Sequence, residues 1–136
     1  MQQISVFLEN KAGRVAEVAR CLSQAGVSIR AITITDTADF GILRLVTDKV
    51  ELAKAALEVA GFTIKLNPVV AVEINDHPGA LAELMELFHQ EAVNIEYLYA
   101  SLEKNRNGAV IIFKVVDREH CRALLKSRKL KLVDSF

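Results

Sequence analysis

The chain has 136 residues, of which 51% are hydrophobic and 25% are charged, a composition typical of a folded globular protein. Its 17 lysines and arginines balance 17 aspartates and glutamates. There is thus no basic field to attract nucleic acid or an anionic lipid surface, and we expect neither nucleic acid nor a membrane as a partner.

The N-terminus and the cysteines indicate the cellular compartment. The first residues lack the basic start and long apolar run of a secretory signal, and no stretch approaches the roughly 18 apolar residues of a membrane helix. Cys21 and Cys121 are far apart and each lies in a predicted helix, which favours buried, reduced thiols over a disulfide. These features predict a cytoplasmic protein.

The first three predicted elements are a strand, a helix and a strand. Apolar residues alternate at Ile4, Val6 and Leu8, which predicts a strand with one face on a core. Apolar positions then recur every three or four residues from 14 to 25, as in an amphipathic helix. The β-branched residues of segment 27–35 predict a second strand.

Three more elements complete the first half. An apolar run at 42–46 predicts a third strand. Asp48, followed three residues later by Glu51, has the spacing of a capping box and predicts the start of a second helix, which Gly61 ends. Residues 62–66 form the last predicted strand.

The second half repeats this pattern. With Gly79 placed over Gly13, an offset of 66 residues (79 minus 13), identical residues coincide and the apolar periods agree. The identical pairs are Val6 and Val72, Ala16 and Ala82, Glu17 and Glu83, Val27 and Val93, and Ile29 and Ile95. The repeat predicts strands at 70–74, 93–102, 110–116 and 129–133, with helices between them.

The hairpin of the second half is predicted to be longer. Asp117 is expected to cap the last helix, and its offset from Asp48 is 69 (117 minus 48), so this hairpin has about three extra residues. They fall in segment 104–108, where Asn107-Gly108 predicts a turn.

The order β-α-β-β-α-β therefore occurs twice, which predicts an α+β fold of two ferredoxin-like units in tandem, residues 1–67 and 68–136. Each unit is expected to form a four-stranded antiparallel sheet with both helices on one face. Units of about 65 residues are marginal alone, so we expect the two sheets to pair side by side.

A short motif stands between the first strand and first helix of the second unit. Asp76-His77-Pro78-Gly79-Ala80-Leu81 resembles the Asp-x-Pro-Gly-x-Leu signature of ACT domains, which are regulatory βαββαβ modules. Val93-Asn94-Ile95 is similar to the family's second strand. The first-unit counterparts, Asn10-Lys11-Ala12-Gly13-Arg14-Val15 and Val27-Ser28-Ile29, lack the Asp, Pro and Asn.

The motif suits a small charged ligand. Glycine allows close approach to the backbone, and the free amides of the following helix attract an α-carboxylate. The ACT resemblance implies a ligand between two modules, touching the loop of one and the second strand of the other. One cleft would combine Asp76, His77, Pro78, Gly79, Ala80 and Leu81 with Ser28 and Ile29. The other would combine Asn10, Lys11, Ala12, Gly13, Arg14 and Val15 with Asn94 and Ile95.

Structural roles remain open for several of these residues. Asp76 and Pro78 are also common at ligand-free helix starts, and Asn94 could satisfy a strand-entry backbone group. Tyr97 and Tyr99 have the strand parity of Ile95, which predicts packing rather than ligand contact. The histidines have no ligand partners at metal spacing, so no metal and no cofactor are expected.

The sequence predicts a non-catalytic regulatory protein that binds an amino acid or similar metabolite. The main alternative is an assembly module without a ligand, because strand runs such as residues 42–46 and 110–113 are apolar on both faces and predict a homodimer. A separate partner enzyme fits either function. A small enzyme is weakly supported, since no nucleophile or phosphate-loop motif is present, and an RNA-binding module lacks the aromatic third strand.

Overall fold

The computed structural model describes residues 1–36, 39–102 and 107–136. These residues divide into two compact units, Gln2–Asn67 and Pro68–Ser135, with Met1 grouped with the second and Phe136 with the first. None of the helices in the described ranges has the length and apolar character needed to span a bilayer.

The first unit contains four strands and two helices. In chain order they are β1 (Gln2–Glu9), α1 (Arg14–Gln24), β2 (Ile29–Asp36), β3 (Phe40–Thr47), α2 (Val50–Val59) and β4 (Thr63–Pro68). The strand order in the sheet is β2-β3-β1-β4.

The second unit repeats the same order. Its elements are β5 (Val70–Asn75), α3 (Ala80–Gln90), β6 (Ile95–Ala100), β7 (Gly108–Val115), α4 (Arg118–Ser127) and β8 (Lys131–Leu132). The sheet order β6-β7-β5-β8 matches that of the first unit. The predicted fold of two βαββαβ units is thereby confirmed, while the pairing of the two sheets stays a prediction.

Each unit has its own core between the helices and one face of its sheet. In the first unit Ile4, Val6 and Leu8 of β1 are buried in one cluster with Leu22 of α1 and Leu57 of α2. In the second unit the matching cluster joins strand residues to both helices through Val70, Val72, Phe88, Phe113 and Leu125. The alternation on the strands therefore buries the residues that the sequence indicated. The helical stripes are buried only in part, since Val15 of α1 and Leu81 of α3 remain 40% and 41% exposed.

Of the two predicted N-caps, Asp117 and Asp48, one is confirmed and one is wrong. Asp117 accepts a hydrogen bond from the amide of His120 at 3.0 Å, as predicted for the N-cap of α4. The predicted cap at Asp48 is wrong, because α2 has Lys49 as its N-cap and no side-chain cap bond. Asp48 instead accepts a hydrogen bond at 2.9 Å from the amide of Ser28.

This correction also changes the length of the second hairpin. The first residues of α2 and α4, Val50 and Arg118, differ by 68 positions (118 minus 50), so the hairpin of the second unit is two residues longer and not three. Of the predicted turn, Asn107 precedes the start of β7 at Gly108, and residues 103–106 lie outside the described ranges.

Candidate ligand-binding site

The start of α3 is open to a ligand. Its N-cap, Gly79, has a left-handed backbone with φ of 92°, and no side chain caps the helix. The amide of Ala80 donates to the carbonyl oxygen of His77 at 3.2 Å. The next two amides, of Leu81 and Ala82, have no acceptor within the helix, because the first turn of any α-helix lacks preceding carbonyl groups. Partial positive charge is thus presented at this point.

The residues before Gly79 lie at the surface and leave this helix start free. Asp76, His77 and Pro78 are exposed, and the carboxylate of Asp76 forms no hydrogen bond within the described part of the chain. His77 donates from Nδ1 to the carbonyl oxygen of Pro78, at 2.9 Å, when that nitrogen carries the proton. Asp76 therefore does not cap α3, the structural role that the sequence left open for it.

The first-unit loop has the same backbone but different electrostatics. Gly13 is the left-handed N-cap of α1, with φ of 89° and no capping side chain. The ammonium of Lys11 lies 3.3 Å from Glu9, and the guanidinium of Arg14 lies 3.7 Å from Glu9 and 3.0 Å from Glu17. Both cations of this loop are thus already paired with acids of their own unit.

Asn10, Ala12 and Val15 complete this first-unit loop. All three are exposed, and the amide of Asn10 donates to the carbonyl oxygen of Asp39 at 3.1 Å. That bond ties the loop to the start of β3, so the loop is held at its base while its tip faces solvent.

The second-strand residues are held differently in the two units. The amide of Ser28 is already bonded to Asp48, whereas the equivalent of Asp48 in the second unit is Val116, whose side chain accepts nothing. The carbonyl of Asn94 accepts from the amide of Val116 at 3.1 Å, and its side chain is exposed. Asn94 therefore keeps more free polar groups than Ser28.

Ile29 and Ile95 point their side chains into the cores of their own units. Both precede a β-bulge, since the register shifts between Ile29 and Ala31 and again between Ile95 and Tyr97. A bulge inserts one residue and reverses the facing of those that follow. Because the side chains of Ile29 and Ile95 pack against the cores, only the backbone of these two residues is available to a ligand.

Because of this bulge, the prediction that Tyr97 and Tyr99 face the same side of the sheet as Ile95 is wrong. Tyr97 pairs with Lys114 and Tyr99 with Ile112, so both lie on the sheet face opposite to Ile95 and Phe113. Their rings stack with centroids 6.4 Å apart. Tyr99 is buried, so packing was correctly expected, but on the other face of the sheet.

A pocket of about 420 Å³ adjoins the predicted loop within the second unit. His77 and Ala80 line it, whereas the other four residues of the Asp76–Leu81 motif do not. Its further walls include Glu83 and the segment 128–131, which runs from the end of α4 to the start of β8. No sequence motif identified this segment. The repeat does align Lys129 with Gly61, and a lysine at a position where a helix usually ends in glycine is a signal that the sequence contains.

The described residues contain no group of three or more His, Cys, Asp or Glu side chains suited to holding a metal ion. His120 instead places Nε2 2.9 Å from the carbonyl oxygen of Glu91, a contact between α4 and the end of α3. The site chemistry on offer is therefore that of backbone amides, one unpaired carboxylate at Asp76 and the charged walls of the pocket.

The chain is similar to known proteins over almost its whole length. The family model for an ACT domain pair matches residues 1–135. Protein BT0572 from Bacteroides thetaiotaomicron is 35% identical, with a TM-score of 0.89 over 97% of this chain and 90% of that one. No curated protein matches significantly.

More distant structures show the same fold. The ligand-free regulatory subunit of aspartate kinase from Thermus thermophilus is 18% identical, with a TM-score of 0.67 over 93% of this chain and 88% of that one. The corresponding subunit from Thermus flavus is 19% identical, with a TM-score of 0.63 over the same shares. From the match over nearly its whole length, the chain belongs to the ACT domain family and consists of a pair of ACT domains.

Proposed function

We propose that this ACT domain pair is a regulatory protein without catalytic activity, and that it binds an amino acid or a similar small metabolite at the start of α3. The observation that carries the proposal is the uncapped helix behind Gly79, whose first-turn amides are left for an external acceptor. Regulatory subunits of aspartate kinase share the fold, which supports a regulatory role.

The second unit is the better site of the two. Both units have an uncapped helix behind a left-handed glycine, but in the first unit Glu9 and Glu17 surround the loop and compete for its cations. At α1 the charged side chains are thus taken up by one another. At the start of α3 the described residues form no such ion-pair network, which leaves Asp76 and Glu83 available to the ligand's ammonium group. We therefore expect unequal affinities, with the second unit binding more tightly.

Ligand binding would act on a separate protein. An effector that binds one conformation of the pair better than another shifts the populations by its differential affinity, and a partner enzyme would respond to that shift. The second wall of the site, predicted from the sequence at Ser28 and Ile29, and the predicted homodimer both stay predictions. Light scattering tests the dimer, and a strict monomer at micromolar concentration contradicts it.

A thermal-shift screen of the common amino acids on the full chain tests the binding proposal. A ligand present at 100 times its dissociation constant stabilises the folded state by about 2.7 kcal/mol, which is readily detected. If none of the amino acids raises Tm, the result would favour the alternative function, an assembly module without a ligand.

Gly79→Asp locates the site. Asp tolerates a left-handed backbone better than most residues, and no heavy atom lies within 4 Å of the Cβ position at Gly79, so the variant should fold. Its carboxylate would repel and displace that of the ligand. Gly13→Asp, with the same backbone and open space in the first unit, is the matched control and should bind nearly as wild type. Unchanged binding by Gly79→Asp would place the site elsewhere.

A further inference from the structure

Each unit contains a pocket at the same place, between the end of its first strand, the start of its first helix and the turn after its second helix. The first-unit pocket, of about 330 Å³, includes Leu8, Glu17 and Gly61. The second-unit pocket, of about 420 Å³, includes the residues at the equivalent positions, Ile74, Glu83 and Lys129. The fold therefore builds this cavity twice, and the side chains decide what each copy can hold.

The turn after the second helix has the same backbone in both units. Gly61 donates to the carbonyl oxygen of Glu58 at 3.0 Å, and Lys129 donates to that of Lys126 at 3.0 Å. Both residues are left-handed, with φ of 89° and 58°. Glycine is the usual residue here because a side chain is strained in this conformation. The second unit keeps a lysine at a position where glycine would be less strained.

The walls around Lys129 leave one positive and one negative group unpaired. Lys131 lies 3.1 Å from Glu73, and Arg128 lies 3.4 Å from Glu91. Neither Lys129 nor Glu83 forms an ion pair within the described part of the chain. In the first unit the equivalent of Glu83, Glu17, is bound to Arg14, and the equivalent of Lys129 is uncharged.

The remaining lining of the second-unit pocket is largely apolar. It is supplied by Ile74, Ala80, Leu84, Leu87 and Leu130. A volume of about 420 Å³ is at the small end of the range for ligand sites. An apolar surface beside one free cation and one free anion matches a small zwitterion with a hydrocarbon side chain.

Ala80, the first residue of α3, and Lys129 both line the second-unit pocket. We propose that this pocket binds an aliphatic α-amino acid, with its carboxylate between the first-turn amides of α3 and the ammonium of Lys129, and its own ammonium at the carboxylate of Glu83. The aliphatic side chain then lies on Leu84, Leu87 and Leu130. This inference rests on the proposed function and gives its effector a chemical class and a location. It also assigns one such site to each chain, because the first-unit pocket lacks the free charge pair.

Calorimetric titration of the full chain with L-leucine tests the pocket, using 4-methylpentanoate and isoamylamine as probes that lack one charge each. Wild type should bind leucine more tightly than either analogue. Lys129→Gly should weaken leucine binding roughly tenfold or more, the usual consequence of losing a hydrogen bond to a charged group, without lowering Tm. Glu83→Gln should weaken leucine binding but leave that of 4-methylpentanoate unchanged.

Lys126→Ala is the control, because Lys126 lies in the last turn of α4, three residues before Lys129, but does not line the pocket. It should bind leucine as wild type does. If wild type binds amino acids and Lys129→Gly binds them equally well, the pocket is not the site, although the proposed function stands. If Lys129→Gly loses both binding and thermal stability, its role is structural and the inference fails. If wild type binds no amino acid, the proposed function itself fails.

Discussion

Phe88 on α3 and Phe113 on β7 pack edge to face, with ring centroids 5.2 Å apart and planes at 70°. Both rings are fully buried, at 1% and 0% exposure. The equivalent positions in the first unit hold Leu22 and Leu45, also buried. The same fold thus closes its core with an aromatic pair in one unit and an aliphatic pair in the other.

Phe88→Ala should destabilise the second unit by about 3 to 5 kcal/mol, since it removes a large buried side chain and leaves a cavity. Urea unfolding followed by tyrosine fluorescence measures this unit, because the chain has two tyrosines, both on β6, and no tryptophan. Leu22→Ala is the matched change in the first unit and should move the tyrosine transition less. An equal effect of the two variants on that signal would contradict the prediction.

The repeat predicted most of the fold, because it depends on patterns that local physics enforces. Strand alternation and helical periodicity at Ile4, Val6, Phe88 and Phe113 select one buried face, and a duplicated pattern then gives the same topology twice. Side-chain facing after a bulge was not predictable in this way. One inserted residue, Glu96, reverses the parity of Tyr97 and Tyr99, and no periodic rule detects it.

The candidate site was predicted only in part. Gly79 and the motif around it gave the open helix start, which is a local feature of the sequence. The opposite wall of the pocket, Lys129, comes from a segment about 50 residues further along the chain, and only tertiary structure brings it beside Glu83. Asp48 likewise binds Ser28, 20 positions away, in preference to the helix that follows it.

The cap assignments lead to a second prediction. Asp117→Ala should cost about 1 kcal/mol, because it removes the hydrogen bond to the amide of His120 at the start of α4. Amide hydrogen exchange should become faster at His120. Asp48→Ala should leave the start of α2 unchanged and speed up exchange at Ser28. If Asp48→Ala instead speeds up exchange in the first turn of α2, Asp48 does cap this helix and the prediction is wrong.

A third prediction concerns Gly108, where β5 and β7 approach closely. A Cβ at this position would overlap the carbonyl oxygen of Ile74, which is backbone and has little freedom to move. Gly108→Ala should therefore destabilise the second unit by about 1 to 3 kcal/mol, as overpacking does. Gly41→Ala is the control, since its Cβ would lie 3.4 Å from Cδ1 of Ile34, an ordinary contact with a flexible side chain. Similar losses in both variants would show that backbone freedom, and not the clash, sets the cost.

The last prediction concerns Cys121 and alkaline pH. Burial raises the pKa of its thiol from 9.0 to about 11 and outweighs the nearby Arg122, which lowers it. The unfolded chain therefore releases this proton at lower pH than the folded chain. The stability from this group is complete below about pH 9 and is lost as pH rises towards 11, a loss of at most about 3 kcal/mol.

Urea unfolding at pH 8 and pH 10.5 measures this loss. Because other groups also titrate in that range, the informative quantity is the difference between wild type and Cys121→Ala. The variant should be less stable at both pH values, from the lost packing, but should lose less stability on going to pH 10.5. Leu124→Ala, another truncation of a buried residue on α4, is the control and should keep the wild-type pH dependence. Equal pH dependence in wild type and Cys121→Ala would mean that the buried thiol does not hold its proton in the folded state.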